Sequence, residues 1–270
     1  MSDRVSISVY NGIADVRLNR PEKLNALDQA MFQGIVDAGE GLKGDPAVRV
    51  VVLSGEGRGF CAGLDFGSFE SMAGGDAPRS RQEGSLGAIA DTEGRITHLG
   101  QQAAWVWQEL EVPVIAAVHG AALGGGLQIA LGADLRIVAP DAKLSVLEAR
   151  WGLIPDMTGT VILPMLVGRD VAKELTFTGR IVSGVEAVAL GLATRVADDP
   201  RAAALEMAAD LTTKSPDALR EGKRLLNLSG TRSLAEQLQD ERVTMASLIG
   251  SPNQVEATTA YFEKRSPHFT

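Results

Sequence analysis

Two features of this chain have residue types and a spacing that suit a chemical reaction: a glycine triplet at residues 124–126 and a glutamate, Glu148. The triplet follows an apolar, strand-like run, Val114–Val118, and leads into an apolar helical stretch at residues 127–132. Backbone N–H groups at such a junction have no partner within the helix and point towards whatever binds there. Glycine also lets a ligand approach the backbone where a Cβ would clash. N–H donors aimed at an oxygen, with a carboxylate nearby, favour proton transfer next to a carbonyl group.

The elements that would position these groups follow hydrophobic patterns typical of an α/β fold. The patterns predict strands at residues 5–9, Ile13–Leu18, 48–54 and 112–118. They predict helices at residues 29–43, 95–110, 127–132, 163–167, 184–190, 201–213, 216–227, 233–249 and 253–265. Asn11 and Gly12 suit a tight hairpin between the first two strands, and Asp28 suits the N-cap of the first helix.

The strand pattern weakens after Val138, and helical patterns continue to the end of the chain. We therefore predict a core over residues 1–199 and a helical subdomain over residues 200–270. Residues 67–93 are mostly small and polar, which is typical of a mobile insertion or lid beside a site.

Composition limits the class of protein. The chain has 270 residues, 45% of them hydrophobic, which is enough for a large core. A formal net charge of −8 argues against a nucleic-acid partner, and no apolar run approaches the ~20 residues that a membrane span needs. Cys61 is the one cysteine, so no intrachain disulfide can form. With no secretion signal at the N-terminus, we expect a soluble, cytoplasmic protein.

Several motifs, in this order, resemble the crotonase, or enoyl-CoA hydratase/isomerase, superfamily. They are NRPEKLNAL, GRGFCAGLDF, HGAALGGGLQIALGADLRI, LEARWGLIPDMTGT and YFEKRSPHF, and together they extend over nearly the whole chain. The resemblance implies a spiral of repeated ββα units and a homotrimer or a dimer of trimers. It also implies an acyl-CoA thioester substrate. Coenzyme A is then part of the substrate, and no separate cofactor is expected.

The resemblance also assigns roles to particular residues. The backbone N–H groups of Leu64 and Gly125 would form an oxyanion hole, and Glu148 would transfer the proton. Two fixed donors stabilise a thioester enolate without reorganisation, and losing one typically costs about 2.7–4 kcal/mol of barrier. The residues implied near coenzyme A are Ala26, Ala62, Asp65 and Phe66 in the same chain, with Tyr261 and Lys264 reaching a neighbouring subunit's ligand.

Gln128 is a departure from the family pattern, because hydratases of this family carry a second glutamate there. Glutamine can orient a water molecule but cannot take its proton, so hydration by two carboxylates is in doubt. Gln128 either lines the substrate pocket or is a hydrogen-bonded helix residue. We expect Trp151 and aliphatic side chains to line the pocket around Glu148 and to raise its pKa.

Asp156 stands eight positions after Glu148. Dienoyl-CoA isomerases of this family have an aspartate at this offset as the second proton-handling group. The alternative is that Asp156 caps a helix beginning near Thr158.

The remaining reactive side chains favour structural roles. His98, His119 and His268 show no metal-ligand spacing, so no metal site is expected, and His119 suits a structural hydrogen bond. Cys61 has no evident histidine partner and suits a small buried position.

These residues favour double-bond migration in an enoyl- or dienoyl-CoA, because a proton shuttle needs no water. Hydration of a trans-2-enoyl-CoA is the alternative, and a catalytically silent acyl-CoA binder is a third reading. A serine hydrolase is disfavoured because the chain has no GxSxG motif.

Overall fold

Two β-sheets of different size form the framework of the protein. The computed structural model describes residues 3–65, 92 and 94–270, so the predicted lid lies almost wholly outside the described residues. The strands are β1 (Val5–Tyr10), β2 (Ile13–Leu18), β3 (Val50–Gly55), β4 (Val114–Val118), β5 (Ala121–Leu123), β6 (Leu135–Val138), β7 (Lys143–Ser145), β8 (Val182–Ser183) and β9 (Arg195–Val196). The helices are α1 (Gln29–Leu42), α2 (Leu99–Glu109), α3 (Gly125–Leu131), α4 (Gly159–Val167), α5 (Arg169–Thr178), α6 (Gly184–Ala189), α7 (Pro200–Thr212), α8 (Pro216–Leu228), α9 (Leu234–Leu248) and α10 (Pro252–Glu263).

The larger sheet has six strands in the order β1-β2-β3-β4-β6-β9. β1 and β2 form the antiparallel hairpin predicted around Asn11 and Gly12, with Tyr10 opposite Ile13. Every other neighbouring pair is parallel. The carboxyl ends of β2, β3, β4 and β6 therefore meet at one edge of the sheet.

The smaller sheet has the order β5-β7-β8. β5 and β7 are parallel, and β8 is antiparallel to β7. The segments β4–β5–α3 and β6–β7–α4 thus place their first strands side by side in the larger sheet and their second strands side by side in the smaller one. This repeat confirms the predicted α/β class with successive ββα units.

The main hydrophobic core lies between one face of the larger sheet and helices α1 and α2, with Trp107 and Met31 fully buried. On the opposite face, Ala204 and Ala208 of α7 pack against Val50 and Val52. Both faces of β3 are therefore covered, as its continuous apolar sequence predicted. Full burial of one such aliphatic side chain stabilises the fold by roughly 1.5–3 kcal/mol.

Several helix boundaries differ from the predicted ones because of capping. Asp28 caps α1 as expected, and its side chain accepts from Met31 N at 2.8 Å. The helix predicted from residue 95 begins instead at Leu99, because the His98 ring accepts from Gly100 N at 3.1 Å. Helix α3 begins at Gly125, earlier than predicted, which places the glycine triplet in its first turn.

Helices α7 to α10 form the C-terminal part of the chain. α7 packs on the larger sheet. α8 is anchored by Lys223, whose Nζ lies 2.8 Å from Asp134 Oδ2 and donates to the carbonyls of Trp107 and Val112. The predicted division at residue 200 stays a prediction. No helix within the described residues has the length and apolar character needed to span a bilayer.

Candidate active site

The first donor of the predicted oxyanion hole is at the start of α3. Gly124 has φ +53°, a conformation that favours glycine, and its N–H donates to Ser145 O in β7 at 2.8 Å. Gly125 is the first residue of α3, so its N–H has no partner within the helix. In the described part of the chain, this N–H donates no hydrogen bond.

The second predicted donor, Leu64, is in a turn that the neighbouring strands hold in place. Leu27 N donates to Gly63 O at 2.8 Å, and Asp65 N donates to Leu27 O at 3.1 Å. These two bonds flank Leu64, whose own N–H has no acceptor among the described residues. The donor is therefore fixed by its neighbours and is free to face a ligand.

The two turns lie close together because residues 61–63 run alongside residues 121–125. Cys61 N donates to Ala121 O at 2.8 Å, and Leu123 N donates to Cys61 O at 3.0 Å. Gly63 has φ +86°, and a Cβ there would lie 3.8 Å from Gly125 N. Neighbouring turns thus carry two backbone donors that have no acceptor among the described residues, and an oxyanion hole needs donors of this kind.

Glu148 is the buried carboxylate beside these turns. It lies in a 3₁₀ turn, Glu148–Trp151, and only 8% of its surface is exposed. Its Oε1 accepts from Gln128 Nε2 at 2.6 Å, and its buried Oε2 has no partner among the described residues. Burial raises the pKa of Glu148, and the charge of Asp156 raises it further, against the opposing effect of hydrogen bonds that include the one from Gln128.

Gln128 is 1% exposed and joins three segments of the site. Its Oε1 accepts from the backbone N–H groups of Met157 and Gly159, each at 2.9 Å. Those two donors fix the orientation of the carboxamide, so its NH₂ group must face Glu148. Gln128 is therefore a hydrogen-bonded helix residue and also the neighbour that holds Glu148 Oε1.

The turn that Gln128 holds is strained. Thr158 has φ +73°, which is uncommon for a β-branched residue, and its buried Oγ1 has no partner among the described residues. Thr158 itself occupies the N-cap of α4, with no side-chain capping bond. The alternative role of Asp156 as the cap is therefore wrong. The Asp156 side chain is exposed and near enough for its charge to raise the pKa of Glu148.

Trp151 is the predicted pocket residue near Glu148, and Phe66 is one of the predicted coenzyme A residues. Trp151 shares the turn of Glu148, and 50% of its surface is exposed. Phe66 lies outside the described residues. A Cβ at Gly124 would lie 3.4 Å from Glu148 Oε1, so the N-cap of α3 is also close to the carboxylate.

The structure brings together the other predicted coenzyme A residues of this chain. They line one pocket of about 250 Å³, which is formed by Glu22, Lys23, Leu24, Ala26, Arg58, Ala62, Leu64 and Asp65. Tyr261 and Lys264 are both exposed near the end of α10, and neither lines this pocket. The pocket is therefore lined both by the predicted donor residue Leu64 and by two cations, Lys23 and Arg58.

Two residues that shape this pocket were missed in the sequence. Asn25 is fully buried, with φ +56°, and its Nδ2 group donates to the carbonyls of Glu56, Gly59 and Phe60 at 2.9–3.1 Å. Arg20 donates to Asp65 Oδ2 at 2.7 Å and thereby occupies that carboxylate. The signal available was the position of both residues in the NRPEKLNAL motif, since asparagine is enriched in left-handed turns.

The other reactive side chains have structural roles. Cys61 is buried, its Sγ donates to Asn25 O at 3.1 Å, and burial raises its pKa to about 12. A thiol with such a pKa stays protonated and is a poor nucleophile. His119 Nε2 lies 2.9 Å from Gly57 O, as expected of a structural hydrogen bond. Among the described residues, no cluster of three histidine, cysteine or acidic side chains could hold a metal ion.

Known proteins match nearly the whole length of this chain. The enoyl-CoA hydratase/isomerase family matches residues 8–270. The chain is 34% identical over 272 residues to the 1,2-epoxyphenylacetyl-CoA isomerase of Escherichia coli (strain K12), a match that covers 100% of this chain and 99% of that protein. It is 32% identical over 265 residues to the mitochondrial methylglutaconyl-CoA hydratase of Mus musculus, with 96% and 79% covered.

A solved structure agrees with these relatives. An enoyl-CoA hydratase from Polaromonas sp. JS666 superimposes with a TM-score of 0.87 at 28% identity, covering 98% of this chain and 99% of that chain. The family match, the relatives and the shared fold lead to one conclusion: the chain belongs to the enoyl-CoA hydratase/isomerase family, within the crotonase superfamily.

Proposed function

We propose that this enzyme moves the double bond of an enoyl- or dienoyl-CoA thioester by proton transfer. The observation that carries the proposal is the neutral amide of Gln128, hydrogen-bonded at 2.6 Å to Glu148. In the described part of the chain, Glu148 has no hydrogen bond to a second acidic side chain. The site then has one buried carboxylate for proton transfer and no paired carboxylate to activate water.

The proton is removed by the free oxygen of Glu148. Because Oε1 is held by Gln128 and Oε2 is buried without a partner among the described residues, Oε2 is the oxygen that faces substrate. It takes a proton from C2 of a 3-enoyl-CoA, and the C–H electron pair becomes part of a dienolate. Reprotonation at C4 leaves the double bond between C2 and C3. The raised pKa of Glu148 makes it a stronger base for the first of these two proton transfers.

The negative charge of the dienolate forms on the thioester oxygen. The N–H groups of Leu64 and Gly125 would bind that oxygen, because both lack acceptors among the described residues. Each donor contributes about 2.7–4 kcal/mol to such a transition state.

Asp156 is the proposed second proton-handling group. Its side chain is exposed whereas Glu148 is buried, and the two are electrostatically coupled. Carboxyl groups in unlike environments can divide acid and base roles between them. Asp156 would deliver the proton at the distal carbon.

Hydration of a trans-2-enoyl-CoA is the second candidate, because relatives such as the methylglutaconyl-CoA hydratase carry that name. The amide of Gln128 has a second N–H that could hold a water for Glu148. A catalytically silent acyl-CoA binder is the third candidate. It predicts thermal stabilisation by acyl-CoA without turnover.

The experiment compares isomerisation of a 3-enoyl-CoA with hydration of crotonyl-CoA by the purified enzyme. We expect faster isomerisation, and a loss of about 10²–10⁴-fold in its rate in Glu148→Gln. Fast hydration that Glu148→Gln abolishes would overturn the preference for isomerisation. Binding without either reaction would favour the silent binder.

Further assignments belong to the same proposal. Ala26, Ala62 and Asp65 would contact the adenine end of coenzyme A, since they line the pocket next to Leu64. Tyr261 and Lys264 would reach the ligand of a neighbouring subunit in a trimer or a dimer of trimers. The oligomer, the contact of Phe66 and the cytoplasmic location stay predictions.

A further inference from the structure

A second pocket lies at the other end of β3 from the proposed active site. It has a volume of about 300 Å³ and is lined by Pro46, Arg49, Pro216, Arg220, Phe269 and Thr270. Arg49 immediately precedes β3, whereas Leu64 follows the opposite end of that strand. At about 3.3 Å per residue, β3 alone separates the two regions by roughly 20 Å. This pocket is therefore distinct from the acyl-CoA site.

Both arginines line the pocket, and in the described part of the chain neither is hydrogen-bonded to a carboxylate. Arg49 donates to Lys214 O at 2.8 Å, and its guanidinium lies 5.7 Å from the centre of the Phe269 ring. Arg220 has a buried Nε without a partner and forms no ion pair among the described residues. Buried N–H groups normally have acceptors, so this one needs an explanation.

Asp217 is an acidic side chain close to these arginines, but it is not hydrogen-bonded to either of them among the described residues. Asp217 Oδ2 accepts from Asn253 Nδ2 at 2.8 Å, and within the described residues Asp217 forms no ion pair with either arginine. Burial lowers the pKa of Arg49, and the charge of Arg220 lowers it further, against an opposing effect of Asp217. Two positive groups thus repel each other in a chain whose net charge is −8. An anion between them would remove the repulsion and supply acceptors.

We propose that this pocket binds a small phosphate monoester. The phosphate would lie between Arg49 and Arg220, because two guanidinium groups match its charge and its oxygen geometry. Phe269 and the two prolines would contact an apolar ester group, since the cavity is larger than a phosphate ion alone. The proposal is independent of the reaction at Glu148.

Binding at this site would tie three segments together. Thr270 N donates to Asn253 Oδ1 and Asn253 Nδ2 donates to Thr270 O, each at 3.0 Å, which holds the C-terminal residues against α10. Arg49 immediately precedes β3, and Arg220 belongs to α8. A bound ligand would therefore stabilise the folded chain, and the stabilisation would rise with the logarithm of the free ligand concentration above the dissociation constant.

The test is calorimetric titration and thermal unfolding of the full chain with phenyl phosphate, inorganic phosphate and benzoate. We expect saturable binding of phenyl phosphate, weaker binding of inorganic phosphate and weaker still of benzoate. Arg220→Gln should lower the affinity for phenyl phosphate at least about tenfold, and Arg220→Lys should lower it less. Arg224→Gln, one turn further along α8, and Arg58→Gln, in the other pocket, should leave it unchanged.

Three results would overturn the proposal. The first is no binding of phenyl phosphate by the wild-type chain up to about 10 mM, a concentration that detects even millimolar affinity. The second is equal affinity in Arg220→Gln and wild type, with both chains folded. The third is loss of binding in Arg58→Gln, which would assign the phosphate to the other pocket.

Discussion

Changing Gln128 to glutamate tests directly whether the neutral amide controls the protonation of Glu148. The substitution would place a second carboxylate where the amide nitrogen now lies 2.6 Å from Glu148 Oε1. The N–H groups of Met157 and Gly159 would keep stabilising the charge of the new side chain. The shared proton would then reside mainly on Glu148.

The expected rise in the pKa of Glu148 follows from the short distance between the two carboxyl groups of the variant. Charges centred roughly 4 Å apart interact with about 4 kcal/mol at an effective dielectric constant of ~20. That energy corresponds to about 3 pKa units. In the wild type, kcat/KM for isomerisation should fall as the pH falls through the raised pKa of Glu148, because the base becomes protonated. In Gln128→Glu this acid limb should move up by about 3 pH units.

The assay is a pH profile of kcat/KM for a 3-enoyl-CoA, with crotonyl-CoA hydration measured in parallel. Gln239→Glu, an exposed change of the same charge on α9, should leave the profile unchanged. The ratio of hydration to isomerisation should rise in Gln128→Glu, because one ionised and one protonated carboxyl supply a base and an acid. An acid limb that coincides with the wild-type limb would refute the reasoning.

Three further predictions concern the donors, the second carboxylate and the fold. Gly125→Pro removes the proposed oxyanion donor but no hydrogen bond of α3, because the N–H of the first helical residue has no partner within the helix. We expect kcat to fall about 10²–10³-fold. Gly125→Ala adds a Cβ but keeps the N–H, and an equal loss in that variant would assign the effect to packing. Asp156→Asn should shift the acid limb to lower pH, because the charge that raises the pKa of the buried glutamate is lost, and it should slow isomerisation but not hydration. Lys223→Met leaves the buried Asp134 unpaired, so the free energy of unfolding in urea should fall by about 3 kcal/mol, whereas Lys214→Met, which removes an exposed pair, should change it by less than about 1 kcal/mol.

Local physical rules made much of the fold predictable. The hairpin around Asn11 and Gly12, the cap at Asp28 and the doubly buried strand β3 all follow from preferences of short segments. The family was predicted from the resemblance of motifs in their order along the chain. One of these motifs contains the turn at Gly124, whose backbone conformation few residues other than glycine adopt. Helix starts were less predictable, since His98 and Thr158 are uncommon caps.

The sequence by itself determined the chemistry available at the site: two glycine-flanked turns, a glutamate and a glutamine where a second acid would stand. Only the tertiary structure decided that Gln128 holds Glu148 Oε1, that Oε2 is left without a partner among the described residues, and that Asp156 is exposed rather than a cap. The physical reason is that hydrogen-bond partners and burial depend on contacts between segments distant in sequence. Here β5 pairs with β7, and Met157 N donates to Gln128 Oε1. Periodicity and local propensity carry no information about that contact.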